Sequence, residues 1–122
     1  MKVINNKYIQ KSIDDFFINL FSLIDGKSFL SDNKIDIILI ELQDNINNIQ
    51  YYIYKSPAKL KWSIIWVMDK TFDYYIKEGE MEEDFELCRN LCNIENKLDF
   101  NVEPIDSGKY ESNRKYSKKG DR

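Results

Sequence analysis

Apolar residues recur along this chain at steps of three and four rather than two. Ile35, Ile38, Leu39, Leu42, Ile46, Ile49 and Ile53 mark one helical face that continues for about five turns. Three other stretches repeat the pattern. Ile9, Ile13, Phe16, Phe17, Leu20 and Ile24 form a stripe that Phe21 widens. Leu60, Ile64, Val67, Met68, Phe72 and Tyr75 form another, broadened by Trp62, Ile65, Trp66 and Ile76. Phe85, Cys88, Leu91, Cys92 and Leu98 share a last face, with Leu87 and Ile94 beside it.

The spacing predicts four helices, over about 8–25, 32–55, 57–78 and 81–98. Ile35 to Leu42 is rich enough in isoleucine to read as a strand, but the helical period persists to Ile53, and that length decides for a helix. Asp25-Gly26 ends the first helix. Ser31 or Asp32 caps the second, and Ser56 caps the third with Pro57 in its first turn. Gly79 is expected to close the third. Short connections join antiparallel neighbours, so the expected fold is all-α, a four-helix bundle-like domain over residues 1–102. From Asp106 onward the chain has no aliphatic residue, and 103–122 is expected to be a disordered polar and basic tail.

Composition narrows the chemistry. There is no histidine in 122 residues. That removes the commonest general base and metal ligand and excludes Ser-His-Asp and Cys-His catalysis. Cys88 and Cys92 stand four apart, which is not the redox C-x-x-C spacing, and they read as small core residues. Asp69 and Asp73 share a helix face, yet the Glu-x-x-His motif of a di-metal bundle is missing. No phosphate-binding glycine loop is present. The chain is expected not to be an enzyme and to carry no metal or cofactor. Met1 to Gln10 lacks a signal-type apolar region, and no apolar run of spanning length occurs, so a cytoplasmic protein with no membrane partner is expected.

The formal net charge is −3, made of 12 basic and 17 acidic side chains up to Val102 and 6 and 4 beyond it. The sharpest local feature is acidic: Glu78, Glu80, Glu82, Glu83, Asp84 and Glu86 fall within nine residues. These acids suit a helix start, or they form a docking face for a basic partner. Trp62 and Trp66, one turn apart, are either core or a binding centre, and Lys55, Lys59 and Lys61 lie close to them in sequence. Tyr51, Tyr52, Tyr54, Tyr74 and Tyr75 add aromatic surface. The tail, with Lys109, Arg114, Lys115, Lys118, Lys119 and Arg122, can touch nucleic acid. The acidic body, however, makes nucleic acid an unlikely partner. The expected function is a small acidic protein-binding module, an inhibitor or immunity-type protein that occludes a basic site on a toxin, nuclease or defence effector. Glu78, Glu80, Glu82, Glu83, Asp84 and Glu86 would steer it, with Trp62, Tyr74 and Tyr75 as anchors. The alternatives are a homo-oligomeric scaffold subunit, such as a homodimer, and a nucleic-acid accessory protein that acts through the tail.

Overall fold

A computed structural model describes residues 4–100. Among them the chain forms five helices and no strand: α1 (Lys7–Ile24), α2 (Asp32–Glu41), α3 (Gln43–Lys55), α4 (Ala58–Met81) and α5 (Phe85–Lys97). The all-α expectation holds. The tail expectation, 103–122, lies outside the described residues.

The first helix buries the whole face its spacing marked, and the others bury most of theirs. All six stripe residues of α1 are buried, and α1 starts where Asn6 accepts the amide N–H groups of Tyr8 and Ile9 at 2.9 and 3.1 Å. It stops before Gly26, whose φ is 74°. Phe16, Phe17 and Phe72 meet edge to face, with centroids 4.9 to 6.2 Å apart, and this ring cluster joins α1 to α4.

The expected second helix is two helices. The chain bends at Leu42, where φ is −91° and ψ is 6°, and the apolar stripe passes through the bend unbroken. No glycine or proline lies between Gly26 and Pro57, so no backbone breaker causes the bend. Packing accounts for it. α3 lies against α1 and α4, while α2 leans on α5. A straight helix would not reach both.

Ile35 and Ile38 seat α2 in the core, and polar contacts that the pattern did not announce fix the connection before it and its outer side. Asn90 of α5 is fully buried; its side chain accepts the Leu30 amide at 2.9 Å and donates to the Ser28 carbonyl at 3.1 Å. One amide therefore fixes the α1–α2 connection on α5. Arg89 stacks over Phe29, 4.9 Å from the ring centre. Lys97 donates to Asp36 at 2.9 Å, and that hydrogen bond raises the lysine's pKa.

Gly79 does not close α4. The helix runs through it to Met81. A Cβ on this buried glycine would stand 2.9 Å from Cys88 Sγ, so the glycine serves the close approach of α5. The stop comes at Glu83, in the left-handed region with φ 58°. There the Asp84 amide donates to Gly79 O at 2.8 Å and the Glu83 amide to Glu80 O at 3.0 Å, the Schellman pattern. Asp84 then caps α5 by accepting the Leu87 amide. Pro57, not Ser56, occupies the cap position of α4, and that end has no side-chain cap.

Candidate functional site: two ends of one helix

α4 is about 35 Å long, and its two ends differ in charge. Glu78 and Glu80 sit in its last turns, Glu82 is its C-cap, and Glu83 and Asp84 form the turn into α5, where Glu86 follows. All six are exposed, and among the described residues none of them forms an ion pair. Met81, 79 % exposed, and Phe85, 64 % exposed, stand between them. The expected apolar face of the last helix thus loses Phe85 to the surface.

Helix-start chemistry explains only Asp84, which caps α5, and Glu86 in its first turn. Glu78 and Glu80 stand at the negative end of the α4 dipole, and no base in the last turn offsets them. Their placement opposes helix stability.

The expected anchors do not all reach this end. Tyr74 is exposed on α4, one turn before Glu78 and two before Met81. Tyr75 is half-buried, its ring on Phe21 at 4.6 Å and Phe17 at 5.9 Å. Trp62 stands about 24 Å from Glu78 along the helix, at the opposite end.

No family model, curated protein or solved structure matches the chain.

At the start of α4, Trp62, Trp66, Leu60, Ser63 and Val67 line a groove of about 440 Å³ with Ile4 and Asn5. Lys61, only 8 % exposed, donates to the Tyr54 carbonyl at 3.3 Å and so caps the negative end of α3 from within. The sequence does carry a signal for this region: from Asn45 to Met68 there is no acidic residue.

A third cluster lies on the α4–α5 seam. Carboxylate oxygens of Asp69, Asp73 and Glu95 come within 4.8 Å of one another, and Lys70 Nζ is 3.9 Å from Asp73. The donors are hard oxygens, the type that calcium or magnesium takes. Cys92 stands beside them. It is exposed, contrary to its expected core position, while Cys88 is buried and donates to Ile76 O at 3.3 Å. Partial burial, then the charges of Glu95, Glu80 and Asp73, raise the Cys92 pKa, which disfavours the reactive thiolate. No helix of the described residues is long and apolar enough to cross a membrane.

Proposed function

We propose that this chain is a protein-binding module of inhibitor or immunity type, whose acidic α4–α5 end docks on a basic face of a partner and occludes it. The observation that carries the reading is the position of Glu78 and Glu80. They are exposed at the wrong end of a helix dipole, in no ion pair among the described residues, and helix stability does not account for them. Met81 and Phe85 supply apolar contact within a charged rim, and Tyr74 extends it. Unpaired acids steer a basic partner to the face, and water-excluding contacts then hold it. The mechanism is steric block, with no catalytic step.

The test is affinity capture from the native cell with the full chain, at low and high salt, alongside a Glu78→Lys/Glu80→Lys/Glu82→Lys variant. The reading expects one stoichiometric basic protein, held at low salt, inhibited in its own activity, and lost from the variant. Equal capture by both chains would sink it.

A further inference from the structure

The opposite end of the molecule has its own character, independent of the acidic face. Residues 4–13 and 45–68 contain no acidic side chain. The fold brings these two stretches together: Ile4 and Asn5 share the groove with the first turns of α4. Lys7 follows Asn5 by two residues, Lys59 precedes Ser63 by one turn, and Lys55 ends α3 just before α4. Lys70 Nζ lies 5.8 Å from the Trp66 ring centre. These four lysines are exposed. Tyr8, 62 % exposed, and Tyr54, 71 % exposed, add aromatic surface, each with an ammonium group over its ring. Lys59 lies in the first turn of α4, at the positive end of the dipole, where a base opposes helix stability. Asp69 and Asp73, one and two turns past Trp66, bound the region.

We propose that this end binds single-stranded nucleic acid. A base stacks on the exposed indole of Trp66 at the groove, and Lys7, Lys55, Lys59 and Lys70, the last exchanging its 3.9 Å surface pair with Asp73, hold the backbone phosphates. Aromatic rings interleaved with lysines suit unpaired bases, because every base offers a π-face and stacking needs no sequence code. An acidic peptide would use the lysines but not the two indoles. The net negative charge does not oppose this. Glu78 and Glu80 lie about 18 and about 21 Å from Trp66 along α4, two Debye lengths or more of about 8 Å at physiological salt, so their field at the groove is largely screened there.

The experiment titrates the full chain with a short single-stranded oligouridylate and reads tryptophan fluorescence. Saturable quenching is expected at low salt. The association constant should fall with salt at a log–log slope of about −3, as four lysine–phosphate contacts require. Trp66→Ala should weaken binding by about tenfold, and Trp66→Phe should restore most of the loss. Lys55→Ser/Lys59→Ser should lower the affinity and bring the slope down by about 1.4, to about half. Glu80→Gln/Glu82→Gln at the far end should change the affinity less than about twofold when measured at physiological salt, where the Debye length is about 8 Å. Absence of quenching overturns the proposal. So does binding that ignores salt, or polyglutamate binding as tightly as the oligonucleotide, which would make the face an interface for an acidic protein.

Discussion

The two ends of α4 are built by opposite means. At its start, the chain buries a lysine. Lys61 reaches back to the Tyr54 carbonyl and ties α3 to α4. At its end, nothing charged is buried. Gly79 lets α5 approach, and the Schellman turn through Glu83 places every acid on the outside. Yet both ends share one feature. Lys59 at the start and Glu78 and Glu80 at the end each stand where the helix dipole disfavours them. Stability has been set aside at both ends of the same helix. The docking proposed for each end would account for that pattern.

The strongest way to break this picture lies in the packing at the acidic end. Gly79→Ala places a methyl group 2.9 Å from Cys88 Sγ. It should lower stability by about 1–3 kcal/mol, although alanine is the better helix former. Adding Cys88→Ala should recover part of that loss in a double-mutant cycle followed by chemical denaturation. Additive losses would mean that the contact is not the cause.

At the basic end, Lys61→Met keeps the apolar stem and removes the donor. Leaving the Tyr54 carbonyl unpaired should cost about 1–2 kcal/mol by the same measurement. Glu83→Gly should stabilise by about 1 kcal/mol, because glycine accepts the left-handed backbone without penalty.

The dipole argument predicts smaller gains. Glu80→Gln and Lys59→Gln should each raise stability by about 0.3–1 kcal/mol at low salt while weakening binding at their own end. A loss of stability from both would remove the reason to read these charges as kept for partners.

The smallest effect concerns pH. Burial, then nearby carboxylates, raise the folded-state pKa of Cys88 and Cys92 above the ordinary thiol value. Their contribution is present in full below the unfolded value and is lost as pH rises through the folded values, so stability should decline above about pH 9. Cys92, though exposed, should alkylate more slowly than a free cysteine at the same pH, and Glu95→Gln should quicken it.

Several parts of this fold follow from residue spacing. The stripe from Ile9 to Ile24 is buried throughout, and Ile35, Ile38, Leu42, Ile49 and Ile53 keep one face inward across two helices. A period of 3.6 depends only on neighbours along the chain, so it is readable without the fold. The acidic run was equally legible as a run. The bend at Leu42 was not, because no local residue demands it and only the separate demands of α5 and of the α1–α4 pair do. Gly79 read as a stop because a glycine's close neighbour cannot be seen in sequence. Asn90 and Lys61 carried no signal, since each is satisfied by backbone that tertiary packing brings to it. The groove needs Ile4 and Asn5 beside Leu60 and Trp62, residues that only the fold brings together. The sequence by itself determined which faces are apolar and which segments are charged, because those are local properties. The tertiary structure decided which charges oppose a helix dipole, which polar groups are buried, and which distant segments share a surface, because those depend on where each helix begins, ends and lies against another.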